Sequence, residues 1–177
     1  MKIEIVAIGS IPDLLLQRLP AMLIETFKPL ADECGVTTRK SIPSTAFDAQ
    51  RRQYRAESVL RHLLFGADRD NVILGIVGVD LYVPKLNFVF GLSQLLGRGA
   101  LVSIHRLNPS FYGQAPDFEL LWNRTRKEAI HELGHVFGLN HCDDPKCVMN
   151  FSNSILEVDR KSSHFCSRCR AKLLHRF

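Results

Sequence analysis

The sequence predicts an α+β fold in which a mixed, mostly parallel sheet packs on long helices, followed by a small C-terminal subdomain. Three observations carry this expectation. An isoleucine- and valine-rich stretch from Lys2 to Ile8 leads directly into leucines at helical spacing. Asn71 to Val79, NVILGIVGV, is apolar almost throughout, as in a strand covered on both faces. Asp117 to Leu139 reads as one long helix, with four cysteines in two pairs beyond it. At 177 residues and 46% hydrophobic composition, the chain suffices for one domain with a real core. We divide it into an N-terminal part, 1–140, and a subdomain, 141–177.

In chain order, Lys2 to Ile8 is a strand, and Pro12 to Phe27 a helix that Pro20 should kink or break. Val36 to Ser41 is a short strand. Ser44 or Thr45 then caps a helix from about Phe47 to Phe65, whose Arg51, Arg52, Arg55 and Arg61 form a solvated face. Asn71 to Val79 is the expected central strand. LNFVFGLSQ and ALVSIHRL, separated by a turn through Gly97 and Gly99, are two strands near the sheet edge. His105 in the second is given a surface or packing role. Leu120, Leu121, Ala129, Leu133, Val136 and Phe137 should pack the long helix beneath the sheet, and polar Asn150 to Ser163 connects the cysteine pairs.

The chemistry concentrates in HELGHVFGLNHC, His131 to Cys142. On a helix, His131 and His135 project from one face, one turn apart, and can share a metal ion. Gly138 can adopt the left-handed conformation that stops the helix, which brings His141 back as a third ligand. Three neutral nitrogens on zinc leave a tetrahedral position open, the mark of a catalytic site. Glu132 stands beside the metal as the natural base for a bound water.

Cys142 with Cys147, and Cys166 with Cys169, have the paired spacing of a four-thiolate structural zinc site. Cys34 is left over and reads as a buried thiol acting as a small hydrophobe. The net charge of +5 resides in Arg160, Lys161, Arg168, Arg170, Lys172 and Arg176, which no acidic residue accompanies. These cations can offset the negative charge of a zinc tetrathiolate. The rival reading, a grip on phosphates, finds no aromatic interleaving beyond Phe165 and Phe177, so no nucleic-acid partner is expected. Glu4, Pro12, Asp13 and Arg18 interrupt any signal-peptide core, and no apolar run is long enough to span a bilayer. We expect a soluble, cytoplasmic monomer that does not bind membranes.

HELGHVFGLNH matches the extended motif of the metzincin zinc peptidases, and CDDPKCVMN with the later CSRC resembles the archaemetzincins in particular. The resemblance implies a metzincin-like fold, a catalytic zinc on His131, His135 and His141, Glu132 as general base, and a methionine turn at Met149 under the metal. It also implies a second, structural zinc on Cys142, Cys147, Cys166 and Cys169. Where many metzincins carry a tyrosine just after the methionine, this chain has Asn150 and Phe151.

These readings converge on a zinc-dependent metallopeptidase acting on peptide or protein substrates, with aminopeptidase action among the possibilities left open. The edge strand around Val102 to Arg106 is the expected place for a peptide to add as one more strand. His141 and Cys142 are neighbours, so a single peptide unit of about 3.8 Å links the two metal sites. The alternative function is a zinc-stabilised binding module whose peptidase site is dormant or occluded.

Overall fold

The computed structural model describes residues 1–175; Arg176 and Phe177, the last elements of the basic-tail reading, lie outside the described residues, as do the side chains of Thr38 and Arg39. The elements are β1 (Lys2–Ile8), α1 (Asp13–Phe27), β2 (Glu33–Lys40), β3 (Phe47–Asp48), β4 (Gln53–Arg55), α2 (Ala56–Leu64), β5 (Val72–Val77), β6 (Leu81–Tyr82), β7 (Gly91–Ser93), β8 (Gly99–Ser103), α3 (Phe118–Val136), α4 (Ile155–Arg160) and α5 (Ser167–Leu174). The main sheet has the order β2-β1-β5-β8-β7. Its first four strands run parallel, and β7 is antiparallel to β8.

Alternation along the strands builds two cores. Ile3, Ile5, Ala7, Leu74, Ile76, Ala100 and Val102 face α1 and α3. Val6, Ile8, Ile73, Val77 and Leu101 face α2. Every residue of β5 is buried, as its unbroken apolar run requires of a strand between two helical layers. Gly75 sits where a Cβ would lie 2.7 Å from the Leu63 side chain, so α2 closes tightly on the sheet. α1 runs through Pro20 without a break, burying Leu15, Leu16, Leu19, Leu23 and Phe27. Cys34 is half-buried against the first core, and burial pushes its thiol up to about 12. Among the described residues, no helix is long and apolar enough to cross a membrane.

Three elements differ from expectation. The helix read from Phe47 to Phe65 starts only at Ala56, because the Asp48 carboxylate accepts the Gln50 and Arg51 amides and Arg52 has φ of 56°, which makes a hairpin of β3 and β4. Arg51 consequently leaves the solvated face; it stacks 4.2 Å from the Tyr82 ring centroid and donates to the Leu86 and Asn87 carbonyls. The polar connector contains α4, started by a capping box between Ser154 and Glu157. The stretch Val102 to Arg106 is not an edge. The turn through Gly97 folds β7 onto the outside of β8, so Val102 and Ser103 are interior and β7 is the edge strand.

Candidate metal centre and cleft

α3 positions the first two histidines. The Asp117 side chain accepts the Leu120 amide 2.9 Å away and starts the helix. Gly138, at φ of 88°, ends it; the Gly138 amide donates to His135 O and that of Leu139 to Gly134 O. His141 follows this turn, and its ring lies 5.3 Å from that of His131 and 4.8 Å from that of His135, centroid to centroid. The three expected nitrogen donors are thus brought together, with one ligand atom of each within 4.8 Å of the others.

Tautomer and spacing test the fit to zinc. His131 Nδ1 lies 2.9 Å from Val148 O, and His135 Nδ1 lies 2.7 Å from Leu139 O. A carbonyl can only accept, so both Nδ1 atoms carry the proton and both Nε2 atoms present lone pairs. Those two Nε2 atoms are 3.2 Å apart, close to the edge of about 3.3 Å for a tetrahedron with zinc–nitrogen bonds of about 2.0 Å. Two facing lone pairs repel unless a cation lies between them. Burial holds His131 well below the ordinary histidine range, which keeps it in the neutral form a metal requires. The donor set fits zinc.

The second cluster fits equally well. The four sulfurs of Cys142, Cys147, Cys166 and Cys169 lie within 4.8 Å of one another. Cys142 Sγ and Cys166 Sγ are 3.8 Å apart, the edge expected for zinc–sulfur bonds of about 2.3 Å. Burial works to raise the Cys166 thiol, but hydrogen bonds from the Cys169 backbone and the neighbouring sulfurs bring it down to about 7. Arg168 alone among the described tail cations approaches the sulfurs, with Nη2 3.9 Å from Cys142 Sγ and in contact with Asp143. Arg170 instead donates to Thr26 O, and Lys161 is buried.

Between the histidines and β7 lies a cleft of about 830 Å³. Glu132, 6% exposed, lies in its wall; Ser93 Oγ donates to its Oε2 over 2.5 Å, and a Cβ on Gly91 would come within 2.6 Å of its Oε1. Burial pushes the Glu132 carboxyl up to about 8, against the pull of the Ser93 hydroxyl. Met149 is fully buried, and its sulfur occupies the space a side chain at Gly134 would need. His105 meets Phe111 edge to face, with ring centroids 5.1 Å apart, in the packing role expected of it.

The model of peptidase family M54 matches residues 27–175. The chain belongs to peptidase family M54. It is 40% identical over 176 residues to the archaemetzincin of Methanocaldococcus jannaschii, covering 99% of this chain and 94% of that one. Identity to the archaemetzincin of Pyrococcus furiosus is 44%, with 98% and 93% covered. The crystal structure of archaemetzincin from Methanopyrus kandleri matches at a TM-score of 0.86 and 41% identity over 99% of this chain and 94% of that one. A zinc-dependent peptidase from Methanocorpusculum labreanum matches at 0.85 and 32% identity, with 97% and 99% covered. This M54 chain is a zinc metallopeptidase, and its two clusters suit one catalytic and one structural zinc.

Two features of the M54 site have no signature in the linear motif. Ser93 reaches Glu132 only because β7 crosses over α3, and the Leu96 amide fastens that hairpin to His135 O at 3.1 Å. Beneath the cleft, Lys161 Nζ lies 2.9 Å from Glu128 Oε1, with the side chains 1% and 4% exposed. Removing one partner strands the other charge. Lys161→Met should therefore cost about 3–5 kcal/mol in denaturant unfolding, and adding Glu128→Leu should recover most of it. Unchanged stability in the single variant would show that Glu128 finds another partner or a proton.

Proposed function

We propose that the cleft hydrolyses a peptide bond of a chain held along the free edge of β7, with Glu132 as general base and then general acid. The observation that carries this is the Glu132 carboxylate, buried in the cleft wall beside the converging imidazoles and oriented by Ser93. His131, His135 and His141 would hold the catalytic zinc, and Cys142, Cys147, Cys166 and Cys169 the structural one. Bound there, the catalytic ion supplies Lewis acidity, lowering the pKa of a water ligand from about 15.7 towards 7 and polarising the scissile carbonyl. The remaining work falls to side chains. Glu132 takes the proton of the attacking water and returns it to the leaving amine. Val148 O and Leu139 O hold the imidazoles of His131 and His135 in the ligating tautomer, and Met149 fills the space under them against Gly134.

The strand edge supports the substrate path. Among the described residues, no strand pairs with the outer side of Gly91–Ser93, and residues of this segment line the cleft. An added peptide would find backbone groups there and a largely apolar lining, including Leu86, Phe88, Phe90 and Phe151, for its side chains. Glu128, the other acidic residue of the lining, is committed to Lys161, so a substrate ammonium finds no spare carboxylate beside Glu132 among the described residues. Endopeptidase action is therefore favoured over aminopeptidase action. N-acetylated peptides should be cut at least as fast as free ones in a mixed library; cleavage confined to free N-termini would reverse that assignment. A hydroxamate should abolish cleavage by occupying the open zinc position, and a zinc-replete protein that cuts nothing would sink the peptidase reading.

Ser93→Ala should lower kcat about 10- to 150-fold and leave KM and zinc content nearly unchanged, since a hydrogen bond to a charged group is worth about 1.5–3 kcal/mol. An unchanged kcat would mean that Glu132 needs no such support. We further propose one catalytic domain with 141–177 as its subdomain, because Val148, Met149, Val158 and Leu173 share a core with Leu133 and Val136. Action as a monomer without a nucleic-acid partner accords with the internal use of Lys161, Arg168 and Arg170. The five free thiols suit a reducing cytoplasm.

A further inference from the structure

A second cavity, of about 410 Å³, lies between α1, α3 and the segment leading to the second cysteine pair. It is separate from the cleft. Its α3 residues are Arg126 and Ile130, whereas the cleft takes Glu128 and Glu132 from the same helix. Positions two apart on a helix point about 200° from one another, so the two openings face opposite ways.

The wall is chemically divided. Met22, Ile130 and Phe165 provide an apolar part. Arg126 and Arg170 provide two cations, and exposed Glu25 supplies a carboxylate. Arg126 is uncommitted: its Nε is buried without a hydrogen-bond partner, and none of its other donors is paired with a described residue. Buried donors of folded proteins are nearly always paired, so this guanidinium is short of an acceptor. Arg170 is held in place by both terminal nitrogens, Nη1 2.7 Å from Thr26 O and Nη2 3.5 Å from Lys28 O.

We propose that this cavity binds a free apolar α-amino acid. The α-carboxylate would meet the uncommitted fork of Arg126, with the charge of Arg170 beside it. Glu25 would take the ammonium, and the side chain would lie on Met22, Ile130 and Phe165. A phosphate fits less well, because Glu25 opposes a dianion and the apolar wall would gain nothing. The volume lies within the range for ligand sites, about 300–1,000 Å³, and is ample for a single amino acid.

The test is calorimetric titration of the zinc-loaded protein, with its cleft blocked by a peptide hydroxamate. Leucine should bind, while leucinamide, which lacks the carboxylate, and N-acetylleucine, which lacks the ammonium, should bind at least tenfold more weakly. Arg126→Gln and Glu25→Gln should each weaken leucine at least tenfold with zinc content unchanged. Glu25 is exposed and unpaired among the described residues, so its variant isolates recognition from folding. No heat with leucine, equal binding of leucinamide or N-acetylleucine, or folded variants that bind as the native chain does would each overturn the proposal. The readout involves no turnover, so it is independent of the peptidase reading.

Discussion

Glu132→Gln should lower kcat by about a thousandfold or more while both zinc ions remain bound. General acid–base catalysis by one positioned side chain contributes about 10²–10⁴, and here one carboxylate is assigned both proton transfers. The substitution keeps the size of the side chain and leaves an oxygen to accept from Ser93 Oγ, now 2.5 Å from Oε2. What it removes is the capacity to hold a proton reversibly. Kinetics on the best substrate from the library, with zinc per chain measured by mass spectrometry, checks both halves. Turnover retained with two zincs would assign the base elsewhere. Turnover lost together with the catalytic zinc would point to damage of the histidine cluster.

Cys147→Ser is expected to weaken the catalytic zinc about 10–100-fold although Cys147 is not among its proposed ligands, a penalty comparable to loss of a supporting residue behind a metal ligand. The route is short. His141 is bonded to Cys142, whose amide donates to Met149 O at 3.0 Å and whose carbonyl accepts from Asn150 Nδ2 at 2.8 Å. The Cys147 sulfur accepts the Cys166 amide at 3.3 Å. Loss of the tetrathiolate therefore loosens the segment that carries His141. Competition for zinc against a chelator of known affinity measures the effect. A variant that loses one zinc yet keeps the second at native affinity and full turnover would show the two centres to be independent.

The proposed ligands were legible in the sequence because the chemistry fixes their spacing: His131 and His135 need one helical turn, and Gly138 must reverse the chain before His141. β5 was legible from its unbroken apolar run, and α3 from its amphipathic length. The hairpin before α2 was not. Arginines at helical spacing, Arg51 with Arg55, continue the pattern back ahead of Ala56, and only the local bonding of Asp48 with the left-handed Arg52 diverts the backbone. α4 could have been found, since Ser154-x-x-Glu157 is a capping box in plain sequence. Ser93 and the Lys161–Glu128 pair had no such signal. Their partners are distant in sequence and meet only through strand order and helix packing.

The order of the ligands along the chain has a consequence in time. Every strand of the main sheet lies within residues 2–103, upstream of all seven proposed ligands. A nascent chain emerging at about 5–20 residues per second can pair its sheet and lay α3 upon it while Cys166 and Cys169 are still inside the ribosome. His131 and His135 are then already adjacent, but the loop bearing His141 has no clamp. The proposed hydrolytic centre would thus reach its full zinc affinity only once synthesis has passed the last cysteine, so that a peptidase made among unfolded polypeptides would be weakest while it is itself unfinished.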